Sequence, residues 1–345
     1  MRYKLLGKSG LRVSEICLGA MGFGEELGWG SDKAQSHAAF DAFVEAGGNF
    51  IDTANVYTRG TSEKYLGEFV AGARDRFVLA TKYTIGGGDN IDPNASGNQR
   101  KNMRQSLEAS LKRLNTDYID LYWLHIWDFL TPEEEVMRAL DDLVRSGKIL
   151  YIGVSDTPAW IVARANTLAE LRGWTSFAAL QIEYSLIERT PERDLLPMAH
   201  ALDIAVTPWG PLGMGVLSGK FSNGRDEQAP SKRPINDGRL NDRTLRIAHE
   251  VGAIALECGR SSAQVAINWL RQQKGLIVPI VGARTATQAK DSLACLEFSL
   301  SEEQMKRLNE VSAIDLGFPY NFYRDRGLQL ARGKAGPLID NHRRA

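Results

Sequence analysis

Short apolar runs recur along the chain, each followed by a stretch whose apolar positions fall three and four residues apart. The runs cover residues 15–19, 49–52, 77–82, 118–125, 149–155, 178–183, 204–209 and 276–282. They are nearly continuous in apolar character, the pattern of strands covered on both faces in a parallel sheet. The stretches between them have helical ends. Asp32 precedes a segment that lines up Phe40, Phe43 and Val44, and Gly47-Gly48 stop it. Thr131, Pro132 and Glu134 predict a cap, a first-turn proline and a capping acid for a helix striped by Val136, Leu140, Leu143 and Val144 and closed by Gly147. Segments 102–114 and 244–259 read the same way.

Eight such β-α units predict an α/β protein, a single (β/α)8 TIM barrel over 1–345. A short hairpin at 3–14 precedes it. An open Rossmann sheet would need a Gly-rich turn leading straight into a helix. Gly22-Phe-Gly24-Glu-Glu-Leu27-Gly28 has Leu27 in place of the third glycine and runs on into loop, and Gly213-Met-Gly215-Val-Leu-Ser-Gly219 fails similarly. After the seventh strand a long rim loop, about 213–240, is rich in Gly, Pro, Asn and Asp; it reads either as a mobile lid or as a solvated insertion. A tail from about 316 to 345 carries Phe318, Tyr320, Phe322, Tyr323 and Asn341-His-Arg-Arg344. It either folds over a rim or docks a second copy, which leaves a homo-oligomer open.

Composition narrows the partners. With 43% hydrophobic and 24% charged residues the chain can bury a large core. Lys+Arg and Asp+Glu number 42 each, so no global field favours nucleic acid or an anionic membrane. Cys17, Cys258 and Cys295 form no CxxC pair, and no histidines stand at metal spacing. Reduced thiols, a cytoplasmic location and no metal are the expectation, and the N-terminus lacks a signal-peptide core.

Parallel strands would bring their C-terminal ends to one rim. Asp52, Lys82 and His125 end three of the runs, and Tyr57 follows the first of these. A carboxylate, an ammonium, an imidazole and a phenol gathered there form a proton-donating site. A free phenol, with pKa ~10, is a poor acid at neutral pH. A neighbouring ammonium should lower that value, and a carboxylate should keep the ammonium charged. Singly, each residue also has an ordinary role: a capping acid, a snorkelling lysine, a loop tyrosine, a core histidine.

Together with their surroundings these residues resemble the aldo-keto reductases. The carrying segments are Gly48-Asn-Phe-Ile-Asp52-Thr-Ala54, Tyr57, Ser62-Glu63, Leu66-Gly67, Ala80-Thr-Lys82 and Asn115-Thr-Asp-Tyr-Ile-Asp-Leu-Tyr-Trp-Leu-His125. Further along stand Gly147-Lys-Ile-Leu-Tyr-Ile-Gly-Val-Ser155, Gln181-Ile-Glu-Tyr184, Thr207-Pro-Trp209-Gly-Pro-Leu-Gly213 and Val278-Pro-Ile-Val-Gly282-Ala-Arg284. The long rim loop and the tail look most like the bacterial branch related to potassium-channel β subunits.

The resemblance implies an oxidoreductase that reduces aldehydes or ketones by hydride transfer from NADP(H), with NAD(H) as the alternative cofactor. Asp52, Tyr57, Lys82 and His125 would be catalytic, with Tyr57 the proton donor. Ala20, Met21, Asp52, Ser155, Asp156, Gln181 and Trp209 would hold the nicotinamide end. Gly210, Pro211, Leu212, Gly213 and Lys220 would wrap the pyrophosphate. Gly282, Ala283, Arg284, Gln288, Asp291 and Ser292 would hold the adenosine, with Arg284 suited to a 2′-phosphate. Met21, Trp29, Tyr57, Trp127 and Phe129 would line the pocket for a small-molecule carbonyl. Asp156 and Ser292 stand where the family usually has asparagine, and Gly210 where it has a polar residue. Two other classes compete: an NADPH-binding regulatory or redox-sensing protein with little turnover, and a Schiff-base lyase using Lys82.

Overall fold

The computed structural model describes residues 1–87, 91–221 and 238–340. Two compact units divide the chain, Met1–Ser312 and Ala313–Ala345. In the first, a hairpin of β1 (Tyr3–Leu5) and β2 (Arg12–Ser14) precedes the barrel strands β3 (Cys17–Gly19), β4 (Phe50–Asp52), β5 (Val78–Tyr83), β6 (Ile119–Leu124), β7 (Ile149–Ser155), β8 (Ala179–Glu183), β9 (Ala205–Trp209) and β10 (Ile280–Gly282). These eight form one parallel sheet in the order β10-β3-β4-β5-β6-β7-β8-β9.

Pro279 explains how the sheet closes. The run expected at 276–282 is shared between two neighbours. Its first half bonds to β9, with Val206 N donating to Leu276 O and Val278 N to Val206 O, both at 2.8 Å. Its second half, β10, pairs with β3, where Cys17 N donates to Pro279 O at 2.9 Å. Proline has no N–H to give, so the strand changes partner there.

Side chains alternate across each strand. One set fills the barrel: Cys17, Phe50, Val78, Ala80, Leu121, Trp123, Ala179, Ala205, Val278 and Ile280, with Leu6 and Val13 packed against them from the hairpin. Gly153 leaves room for the largest of these, since a Cβ there would lie 2.3 Å from the Trp123 ring. The other set, including Ile51, Leu79, Tyr122, Ile152, Leu180 and Val206, packs outward under the helices.

Those helices include α1 (Lys33–Glu45), α2 (Thr61–Val70), α3 (Arg100–Leu114), α4 (Glu133–Arg145), α5 (Ala159–Arg172), α6 (Leu195–Ala201), α7 (Asp242–Cys258), α8 (Ser262–Arg271), α9 (Ala286–Leu293) and α10 (Glu302–Val311). Asp32 caps α1 as expected, accepting from Gln35 N at 2.8 Å. Thr131 does not cap α4. Its hydroxyl donates to Asp128 Oδ2 at 2.8 Å, and the extended Pro132 takes the cap position. Asn241 caps α7 in a reciprocal pair of bonds with Thr244, so the helix begins at Asp242, two residues before the expected start.

In the second unit, short helical turns at Tyr320–Phe322 and Leu328–Arg332 follow Asp315, which accepts from Gly317 N at 2.9 Å. Most of the rim loop, 222–237, and the Asn341-His-Arg-Arg344 motif lie outside the described residues. Among the described residues no helix is long and apolar enough to cross a membrane.

Candidate active site

Continuing the inward set two residues toward the strand C-termini turns the apolar filling into chemistry. Beyond Phe50 comes Asp52, beyond Ala80 Lys82, beyond Trp123 His125. Gly153 is followed by Ser155, Ala179 by Gln181, and Ala205 by Thr207 and then Trp209. Register aligns this layer: Gly19 pairs with Asp52, Asp52 with Ala80, Lys82 with Trp123, and Ser155 with Gln181. The sequence pattern thus folds into one polar mouth on an apolar barrel.

Lys82 lies at its centre, fully buried. Its Nζ donates to Asp52 Oδ2 at 2.5 Å and to Thr53 O at 2.7 Å. The other Asp52 oxygen accepts from Gln181 Nε2 at 3.0 Å. Lys82 Nζ stands 4.5 Å from the centroid of the Tyr57 ring, and the Tyr57 and His125 rings meet edge to face at 5.9 Å. The four residues expected to act together are therefore brought together.

Electrostatics corrects one expectation. Burial pushes the Tyr57 phenol up, Lys82 pulls it down, and Asp52 and Asp156 push it up again; the net position is above the ordinary tyrosine value. Tyr57 therefore keeps its proton at neutral pH. Lys82 instead offsets the charge that appears when the proton leaves. Burial alone would pull the ammonium down, but the Asp52 charge, Tyr57 and their hydrogen bonds outweigh it and hold Lys82 above its ordinary value. For His125, burial and the Lys82 charge lower the imidazole to about 3. It is neutral, and its buried Nδ1 has no partner among the described residues. Unfolded, this histidine binds a proton below its ordinary value near 6.5, while the folded form refuses it down to about 3. Stability contributed by His125 is thus lost as pH falls through that window, with a slope of at most ~1.4 kcal/mol per pH unit. His125→Asn should flatten the acid limb of a denaturation-versus-pH curve; an unchanged slope would contradict this placement.

Several residues that sequence reasoning gave no role hold this geometry. After Tyr57 the backbone takes three left-handed residues in succession, Thr58 (φ +45°), Arg59 (φ +53°) and Gly60 (φ +90°), unfavourable for the first two. Thr58 Oγ1 secures the turn, donating to Phe23 O at 2.6 Å and accepting from Ser62 N at 3.1 Å. Glu63 is buried behind β5, accepting from Thr81 Oγ1 and Arg113 Nε, both at 2.6 Å. Asn98 ties the loops after β5 and β6, donating its amide to Thr84 Oγ1 at 2.9 Å and Ile126 O at 3.0 Å, while its backbone N–H donates to Asp128 Oδ2 at 2.7 Å and its Oδ1 accepts from Asp128 N at 2.8 Å. Ser62 and Glu63 were visible only as part of a resemblance. Thr84, Asn98 and Asp128 sit in loops with no periodic signal.

Residues expected to hold a cofactor ring the same mouth in part. Trp209, half-buried at the end of β9, donates Nε1 to Asp156 Oδ1 at 3.1 Å across the end of β8. Asp156 itself has a left-handed backbone, φ +39°. Surrounding protein pushes its carboxyl up to about 6, helped by the Glu183 charge and opposed by Trp209 and Lys82, although its side chain still reaches solvent. Ser155 and Gln181 are buried beside it. Ala20 is buried and bonded through its backbone to Asp52 O and Ser62 Oγ, with Met21 half-exposed next to it. Gly210 and Gly213 are left-handed, φ +69° and +55°, and a Cβ on Gly213 would strike Ile187 at 2.3 Å. Between them lie buried Pro211 and half-buried Leu212, and Lys220 is exposed. A turn containing small, left-handed residues lets backbone N–H groups approach an anionic ligand closely.

After β10, Arg284 Nη1 donates to Trp29 O at 3.3 Å, and its N–H donates to Gln288 Oε1 at 2.9 Å. Gly282 is exposed, Ala283 and Ser292 buried. Asp291 is already engaged by Ser261 Oγ at 3.1 Å and Gln264 Nε2 at 2.8 Å. Of the substrate candidates, Met21 and Trp29 are half-buried and Phe129 is 68% exposed. Trp127 is not with them: it is 7% exposed and packed among Val136, Met137, Val154 and Phe177, under α4 and α5.

A family model described as the Aldo/keto reductase family matches residues 15–313. The chain is 39% identical over 329 residues to norsolorinic acid reductase of Aspergillus flavus, covering 92% of this chain and 82% of that protein. It is 40% identical over 338 residues to the NADP(+) aryl-alcohol dehydrogenase of Phanerodontia chrysosporium, covering 92% and 87%. To aldo-keto reductase ausK of Emericella nidulans it is 37% identical over 338 residues, covering 93% and 84%.

Proposed function

The chain belongs to the aldo/keto reductase family, and on that footing we propose that it reduces aldehydes or ketones to alcohols with NADP(H), Tyr57 giving the proton. The observation that carries this reading is the Asp52–Lys82–Tyr57–His125 cluster at the barrel mouth. When bound, the reduced nicotinamide supplies a hydride to the carbonyl carbon. His125, kept neutral and set edge to face with Tyr57, orients the carbonyl oxygen. Tyr57 donates its proton to that oxygen as negative charge develops there. Lys82, held charged by Asp52, stabilises the phenolate left behind. Trp209, Ser155, Asp156 and Gln181 would hold the nicotinamide, Gly210 through Gly213 with Lys220 the pyrophosphate, and Arg284 with Gln288 and Ser292 the adenosine end.

Within this reading the substrates are aryl carbonyls. Met21, Trp29, Tyr57 and Phe129 offer an aromatic and apolar edge, and two of the relatives above are named for norsolorinic acid and aryl alcohols. NADPH consumption across aryl aldehydes, aliphatic aldehydes and sugars tests it: aryl aldehydes should give the highest kcat/KM, and a preference for sugars would contradict it. A regulatory role without turnover finds no support in relatives named as reductases and dehydrogenases. The Schiff-base reading is disfavoured because Asp52 keeps Lys82 protonated. We keep kinship with the bacterial branch related to potassium-channel β subunits as a proposal resting on the rim loop and tail; the relatives named above are fungal. A cytoplasmic location, and one functional domain over 1–345, are held in the same way.

Cofactor choice turns on Arg284 in this reading. Among the described residues its guanidinium makes one hydrogen bond, at 3.3 Å to Trp29 O, and in this reading it forks onto a 2′-phosphate. Arg284→Met should raise KM for NADPH by roughly tenfold or more, the loss of a charge-assisted bond worth ~1.5–3 kcal/mol, and leave KM for NADH unchanged. An equal rise for both cofactors would remove Arg284 as the discriminating residue.

A further inference from the structure

Carboxylates at the mouth are not all matched by cations. Asp52 is paired with Lys82, and Glu183, at the end of β8, with Arg239. Among the described residues no ion pair takes Asp156. Its charged and titratable neighbours among the described residues are Lys82 from β5, Tyr57 from the turn after β4 and Glu183 from β8, itself paired with Arg239, while the Trp209 indole from β9 donates to it. Asp156 directly follows Ser155, which pairs with Gln181 in the polar layer of the mouth, and its side chain accepts from Trp209 at that rim; its charge acts on Tyr57 and is opposed by Lys82.

Oxidised nicotinamide differs from reduced nicotinamide by one positive charge on the ring. A fixed, unpaired carboxylate at that rim discriminates between the two by attraction alone. We propose that Asp156 is a specificity-determining residue that makes the mouth bind the oxidised, cationic nicotinamide more tightly than a neutral residue there would, favouring on the protein the transfer of hydride out of NADPH. This rests on the nicotinamide reading above. It goes further in assigning Asp156 a sign of charge preference, in addition to a contact.

The hydrogen bond from Trp209 makes the test clean. Asp156→Asn keeps an oxygen for the indole N–H, and asparagine tolerates the left-handed backbone as aspartate does. Fold and ring orientation should survive while the charge is removed. Because the Asp156 carboxyl titrates near 6, the effect must also fade with acid. Each pKa unit by which NADP⁺ lowers Asp156 is a tenfold gain in affinity at high pH.

The experiment is calorimetric titration of NADP⁺ and of NADPH into the unaltered protein and into Asp156→Asn, from about pH 8 to about pH 5, around the Asp156 value. The readout is the ratio of the two Kd values. The 2′-phosphate also titrates near 6, as phosphate monoesters do, but it is common to both ligands and cancels in the ratio. In the unaltered protein the preference for NADP⁺ should weaken about tenfold on acidification. In Asp156→Asn it should be flat and equal to the low-pH value. A ratio that is independent of pH, or the same in both proteins, overturns the role of Asp156 while leaving the cofactor reading standing. Failure of the unaltered protein to bind either nucleotide overturns both.

Discussion

Replacing Tyr57 with phenylalanine lowers kcat for carbonyl reduction by roughly 10²–10⁴-fold, the contribution typical of a positioned general acid, and leaves NADPH affinity close to that of the unaltered chain. Only a proton donor is lost. The ring itself, with its edge against His125 and Lys82 over its face, stays. Since burial holds the phenol above its ordinary value, the reduction rate of the unaltered enzyme should not fall until alkaline pH, where the phenol ionises. Stopped-flow measurement of NADPH oxidation across pH checks both parts. Wild-type rates in Tyr57→Phe, or a loss confined to KM, would remove Tyr57 as the acid.

Lys82→Met should both abolish reduction and destabilise the fold by about 3–5 kcal/mol, because it leaves the Asp52 carboxylate buried without its cation. The chemical loss comes from the phenolate that no charge then stabilises. Asp52→Asn/Lys82→Met removes both charges and should recover much of the stability but none of the activity. Urea denaturation of the three proteins measures the first effect, and single-turnover assays the second. Stability in Lys82→Met equal to the unaltered chain would mean that the pair contributes nothing to folding. The pair also sets an alkaline limit. Lys82 is raised in the folded state, so its contribution is fully present below the unfolded value near 10.5 and is lost as pH rises through the folded one.

Much of this was legible in the chain before any coordinates. Near-continuous apolar runs mark strands covered on both faces, and parallel strands bring their ends to one rim, so Asp52, Lys82 and His125 follow from the run ends alone. Helix signals held where a capping side chain had no competitor, as at Asp32, and failed where one existed: Asp128 drew the Thr131 hydroxyl away. Tyr57 is different, because its place depends on a left-handed turn that sequence periodicity does not encode. Trp127 was misplaced for a related reason. An aromatic two residues past a strand end reads as a pocket wall, but the loop, tied down by Asn98 and Asp128, turns it back into the core. The net direction of the Tyr57 shift was also out of reach, since it weighs burial against one neighbouring charge, and burial appears only in three dimensions.

A single turnover with NADPH carrying deuterium at the transferring position of its ring, mixed with an aryl aldehyde, tests the barrel mouth most directly. The alcohol should carry one deuterium on its carbinol carbon, formed rapidly by the unaltered protein and at a rate lower by roughly 10²–10⁴-fold in Tyr57→Phe. Unlabelled alcohol, or no alcohol from a protein that binds NADPH, would contradict a hydride-accepting, proton-donating site built on Asp52, Tyr57, Lys82 and His125.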